Sequence, residues 1–171
     1  MDRRNALKNL LITSGSLIAL PAWANKWSIG DLTTHRSSFS VSQQETLTAV
    51  ADTIIPAGNS IGALSVGVDT FLQKLIDTCY GKDVQDNVRI QLEGLEGSAQ
   101  TKFKKSFSQC DQSQRQELLE KLSASEVKAE KDFFTLIKSE TIRGFSTSKE
   151  VMVNHLHYKV VPGHYYGCVE V

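Results

Sequence analysis

Residues 41–56 read VSQQETLTAVADTIIP, and the spacing within this stretch decides the fold class. Leu47, Val50, Ala51 and Ile54 recur at intervals of three and four, the period of one face of a helix. Ser42 followed by Glu45 has the form of a capping box, in which the serine oxygen accepts the Glu45 N–H and the carboxylate reaches back. Pro56 has no N–H to offer and ends the run. The stretch therefore predicts an amphipathic helix with both ends written in the sequence.

The same period continues downstream. After a loop over residues 58–67, Phe71, Leu72, Leu75, Ile76, Cys79 and Tyr80 line a second apolar face, with Asp69 as its cap and Gly81 as its stop. From Asp83, apolar residues at Val84, Val88, Leu92, Leu95, Ala99 and Phe103 keep helical spacing. Gly94 and Gly97 fall among them and predict a kink or two short helices. Asp111 with Gln114 signals another cap, ahead of Leu118, Leu119 and Leu122. Ser125 opens a longer helix with Phe133, Phe134, Ile137 and Ile142 on its face, and Gly144 is placed as its C′ residue. A last short helix is predicted over residues 148–156. No alternating strand pattern and no repeat is present, so the fold class is all-α, with five to seven helices in one domain.

The two ends of the chain differ from this middle. Arg3, Arg4 and Lys8 form a positive n-region, residues 10–20 a modest apolar run diluted by Thr13, Ser14, Gly15 and Ser16, and Ala22 and Ala24 a small-residue cleavage site before Asn25. The run is short of the ~20 predominantly apolar residues of a spanning helix. Asp2-Arg3-Arg4-Asn5-Ala6-Leu7-Lys8 resembles the twin-arginine consensus, with Leu7 and Lys8 in the expected places and Ala6 where Phe is commoner. That export route takes cargo already folded, typically because a cofactor has been inserted. Residues 25–40 read as an extended arm in which Trp27 and Phe39 are either docking points or cover over the core. Residues 158–171 form an aromatic tail without helical period, so the helical domain spans residues 41–157.

Composition narrows the function classes. The 171-residue chain has zero net charge, and removal of Arg3, Arg4, Lys8 and Asp2 with the leader takes it to −2. No basic block or stripe is present, which excludes nucleic acid as an expected partner. Gly62 and Gly67 have the spacing that begins a phosphate loop, but Val68 and Asp69 follow where Lys is required. No haem-attachment C-x-x-C-H occurs. Asp52 and Asp69 are accounted for by structural roles, and no nucleophile–base set supported by local sequence is found. His155, His157, His164 and Cys168 are metal-ligand types without a usual ligand spacing. They define an alternative reading: a stand-alone exported helical protein binding a metal or small ligand.

A leader for folded cargo thus heads a chain that offers no catalytic, cofactor-binding or metal site of its own. Five pieces of sequence carry a family resemblance. They are Arg3-Arg4; residues 47–56, LTAVADTIIP; Gly62-Ala63 and Gly67-Val68 before Phe71; Phe133-Phe134 with Leu136-Ile137; and residues 161–169, VPGHYYGCV. Together they resemble the gluconate 2-dehydrogenase subunit 3 family, the small subunit of membrane-associated, FAD-dependent sugar and sugar-acid dehydrogenases. The resemblance implies a non-catalytic subunit in the periplasm. FAD would sit in a large partner subunit, a multihaem cytochrome c subunit commonly joins the complex, and the small subunit escorts the flavoprotein to the twin-arginine translocase.

On that reading the tail is the candidate interface. Tyr158, Tyr165 and Tyr166 combine contact area with a polar tip, the profile of an anchor residue. Pro162 and Gly163 shape the same segment, which either lies along the large subunit or wraps its own helices. Three cysteines leave one unpaired. Cys168 is assigned as the odd thiol facing the partner, while Cys79 and Cys110 either pair with each other or stay reduced as small apolar groups.

Overall fold

The computed structural model describes residues 37–159. These form five α-helices: α1 (Val41–Ile54), α2 (Val68–Cys79), α3 (Lys82–Phe103), α4 (Gln112–Ser123) and α5 (Lys128–Ser146). Short 3₁₀ turns over Leu64–Val66 and Phe107–Gln109 join them, and a π-turn over Val151–His155 follows α5. No strand occurs among the described residues, as the all-α reading requires. No helix among them is long and apolar enough to cross a membrane.

α1 lies at the centre of the bundle, where it packs against each of the other four helices and the Phe107–Gln109 turn. Leu47, Val50 and Ala51 are fully buried, as the spacing predicts, and Ile54 is half-buried at the end of the stripe. The cap lies two residues earlier than predicted. Ser40 Oγ accepts the Gln43 N–H at 3.3 Å and Gln43 Oε1 accepts the Ser40 N–H at 2.9 Å, which makes Ser40, not Ser42, the N-cap. The reason is Phe39, only 4% exposed: its ring plugs the core and fixes where the chain turns into the helix. Phe39 is therefore core cover, the second of its two predicted roles.

α3 runs unbroken through Gly94 and Gly97, against the predicted kink. Each glycine costs about 1 kcal/mol relative to alanine in a helix interior. Burial of Val88, Leu92, Leu95 and Ala99 on the opposite side stabilises the helix by more than that. Nothing lies within 4 Å of a Cβ built at either glycine, so both face open space.

α5 begins at Lys128 instead of Ser125, whose Oγ accepts the Val127 N–H in the preceding turn. Its buried stripe is Phe133, Ile137, Thr141 and Gly144. Ile142, predicted on that face, stands about 100° further round the helix and is 47% exposed. Gly144 is not a C′ residue either, because the helix continues to Ser146 and ends on Thr147. A Cβ at Gly144 would stand 2.6 Å from Cδ1 of Phe71, so the glycine exists to let α2 approach α5.

α2 buries Val68, Leu72 and Ile76, with Phe71 and Leu75 half-buried beside them. Its N-cap is Gly67, in the left-handed region at φ 72°, and not Asp69. Asp69 sits inside the first turn, where its carboxylate complements the helix dipole. α2 ends on Tyr80, where the chain turns extended, and Gly81, predicted as the stop, stands as N-cap of α3. The Asp111 cap on α4 is as predicted, with the Asp111 N–H donating to Gln114 Oε1 at 3.1 Å.

The two classes of glycine give opposite expectations. Gly144→Ala should destabilise the mature chain by about 1–3 kcal/mol through overlap with the Phe71 ring. Gly94→Ala should stabilise it by up to about 1 kcal/mol, because the new methyl meets nothing and helix propensity rises. Urea unfolding midpoints measure both, and a stabilising Gly144→Ala would disprove the close-approach role.

Candidate partner-binding surface

The segment that closes α1 onto α2 is tightly determined. The Ile55 N–H donates to the Ala51 carbonyl and the Ala63 N–H returns to the Ile55 carbonyl at 2.9 Å. This brings Gly62 against the chain at Pro56 and Ala57. A Cβ on Gly62 would lie 2.4 Å from the Ala57 nitrogen, so no larger residue fits without moving backbone. Gly62, predicted as part of the 58–67 loop, therefore meets a packing requirement there.

Asp52 is held from α4. Arg115 Nη1 donates to Asp52 Oδ2 at 3.1 Å and to the Ala49 carbonyl at 3.2 Å, and Gln112 Nε2 donates to the Thr53 carbonyl at 3.3 Å. Asp52 thus has the structural role expected of it. It lies on a groove of about 530 Å³ between α1 and α2, beside Val41, Glu45, Leu64 and Asp69. A second groove, about 590 Å³, runs between α3 and α5 over Tyr80, Val84, Phe133 and Leu136, edged by Asp83, Lys128 and Asp132. No Ser, Cys or His lines the second groove, and the first has only Ser108, with no histidine to act as its base.

The other interior carboxylates also serve the fold. Glu96 Oε2 accepts the Phe107 N–H at 2.9 Å, pinning the turn after α3. Glu140 Oε1 accepts from the Tyr80 hydroxyl at 2.9 Å, and Arg143 Nη2 lies 2.6 Å from its other oxygen. Desolvation first, then the hydrogen bond to Glu140, pushes the Tyr80 phenol up, which keeps it a neutral donor bridging α2 and α5.

Among the described residues, no group of three or more His, Cys, Asp or Glu side chains could hold a metal ion. His155 and His157 are exposed, while His164 and Cys168 lie outside the described residues. So do the predicted export residues Arg3, Arg4, Leu7 and Lys8, the predicted cleavage residues Ala22 and Ala24, and the predicted tail anchors Pro162, Gly163, Tyr165 and Tyr166.

Cys79 and Cys110 are both free, so the structure does not join them. Cys110 is buried in the core, where desolvation pushes its thiol up and makes it a poor nucleophile. Cys79 is exposed at the C-terminal end of α2. Cys110 is thus the small buried apolar group expected of a core thiol, and Cys79 is not.

Tyr158 is the one predicted tail anchor among the described residues, and it is 54% exposed. Two neighbours that the sequence reading missed share its exposure. Val153 is 49% and Leu156 60% exposed, in a segment predicted as a last short helix. Only Val151 of the turn is buried. The available signal was the apolar cluster Val151-Met152-Val153, with Leu156, running straight into the aromatic tail.

A family model described as gluconate 2-dehydrogenase subunit 3 matches residues 41–163, from the first residue of α1 into the tail. No curated protein and no solved structure matches the chain. The matched region contains all five helices, the Pro56–Gly62 closure and the exposed turn after α5. The chain belongs to the gluconate 2-dehydrogenase subunit 3 family and is, in general terms, an accessory subunit of a dehydrogenase complex.

Proposed function

We propose that this chain is the non-catalytic small subunit of a periplasmic, membrane-associated FAD-dependent dehydrogenase of the GMC type, acting on a sugar or alcohol. It escorts a flavoprotein subunit that has no signal of its own through twin-arginine export and stabilises it afterwards. FAD belongs to that partner, and a multihaem cytochrome c subunit is the electron acceptor within the complex.

The observation that carries this reading is the order of two features in one chain. A leader with Arg3-Arg4 precedes a domain of a dehydrogenase-subunit family. Export in the folded state lets one leader serve two polypeptides, provided they associate first. A helical domain with a buried apolar core suits that sequence of events, since it can fold and present a fixed surface before transport. The interior carboxylates support the non-catalytic role as well, because Asp52, Glu96 and Glu140 are each engaged by the fold.

Substituting Arg3→Lys together with Arg4→Lys should leave the flavoprotein in the cytoplasm. Fractionation followed by flavin fluorescence of the co-purified band measures it, and normal export of the flavoprotein would overturn the escort role. A covalent link is expected through Cys168. Non-reducing electrophoresis of the purified complex should show a higher-mass band that Cys168→Ser removes. A chain that, free of other polypeptides, retains flavin or stoichiometric metal would replace this reading with the stand-alone one.

A further inference from the structure

The geometry points to the π-turn after α5 as a preformed docking surface, with Val153, Leu156 and Tyr158 as its anchors. Its occupant is an apolar, acid-rimmed face of the flavoprotein subunit, so the inference rests on the function proposed above.

Three observations meet in this turn. The first is concentration. Val153, Leu156 and Tyr158 are each about half exposed or more within six residues of chain. Among the described residues, the other large exposed apolar side chains are Ile90, Val127 and Ile142, at separate points along the chain, and Val41 with Leu64, which share the groove between α1 and α2. Isolated exposed apolar residues are ordinary, whereas a group of them marks an interaction site.

The second is the backbone. The Leu156 N–H donates to the Val151 carbonyl at 3.0 Å, the Met152 N–H to the Ser148 carbonyl at 2.9 Å and the Tyr158 N–H to the Met152 carbonyl at 2.8 Å. The turn is thus held by its own hydrogen bonds and by buried Val151, without burying its other apolar side chains. π-turns are rare and concentrate at functional sites. His157 adds a left-handed conformation at φ 50° without being glycine. Such a residue costs on the order of 1 kcal/mol or more and persists where the surrounding structure fixes it. The anchors are therefore presented in a fixed shape before any partner arrives, which lowers the ordering cost of binding.

The third is charge. Lys149 and Lys159 are exposed at the two ends of the segment, with His155 and His157 between them and Glu150 as the one carboxylate. Two lysines against one carboxylate leave this apolar segment with a positive excess, which an acidic edge on the partner complements. The segment also falls within residues 41–163, the part common to a family of dehydrogenase subunits, and it leads directly into the predicted tail interface. Tyr158 is of the residue type that dominates interface energetics, and Val153 and Leu156 supply the apolar surround that excludes water from it.

The test uses the full chain expressed in its own host. A benzophenone amino acid is placed at Leu156, and in a control strain at Ile90 on α3, and complexes are crosslinked by light in the cell. An adduct from position 156 identified by mass spectrometry as the flavin-bearing subunit, with none from position 90, is the expected result. In parallel, Val153→Asp with Leu156→Asp should lower the flavoprotein recovered per mole of tagged chain by about tenfold or more. Its thermal midpoint should stay unchanged, since both side chains are exposed. An adduct to a second copy, or undiminished recovery with the double variant, would overturn the inference while leaving the proposed function in place. Failure of any flavoprotein to co-purify with the unaltered chain would remove both.

Discussion

The fold depends on burying one helix on nearly every side. α1 contributes Leu47, Val50 and Ala51 to the core, and each of the other helices packs against it. A helix so placed cannot present a broad polar face, and its polar residues must be satisfied locally. They are: Thr46 and Thr53 donate their hydroxyls back to the carbonyls of Ser42 and Ala49, Gln43 reaches Glu93, and Asp52 is met by Arg115. Everything else arranges itself around this rod. The Gly62 contact brings α2 back against its end, and the Gly144–Phe71 contact sets how closely α5 can approach α2.

Much of this was legible before any coordinates. Helical period is a property of a whole stretch, so α1, α2 and α3 were readable from apolar spacing, and the Asp111 cap from two residues. The errors have a common physical source. Serine, glycine and aspartate act through their immediate neighbours in space, and a sequence shows neighbours only along the chain. Ser42 and Ser40 are equally good caps until Phe39 is seen to occupy the core. Gly144 looked like a helix end and is a contact surface; Gly94 and Gly97 looked like breaks and are solvent-facing gaps in an intact helix. Asp69 looked like a cap, but the left-handed Gly67 takes that place.

The candidate surface was half legible. Tyr158 stood out by residue type, whereas Val153 and Leu156 fell within a predicted short helix and were not singled out. A π-turn leaves no periodic trace in five residues, so nothing in the sequence separates it from a helical turn. Val153 and Leu156 stand away from buried Val151, and on an α-helical turn they would do so as well, at about 200° and about 140° from it. An accessory subunit gains from such an ending, since its core is complete without these exposed residues.

Cys110 has a consequence of a different kind. Its thiol is sealed among core side chains and shifted toward its protonated form, in a chain whose leader is read as sending it to an oxidising compartment. A sulfhydryl in that position stays silent toward alkylating reagents while the bundle is closed and becomes reactive once it opens. The molecule thus carries an internal gauge of its own integrity, one that distinguishes closed bundles from opened ones.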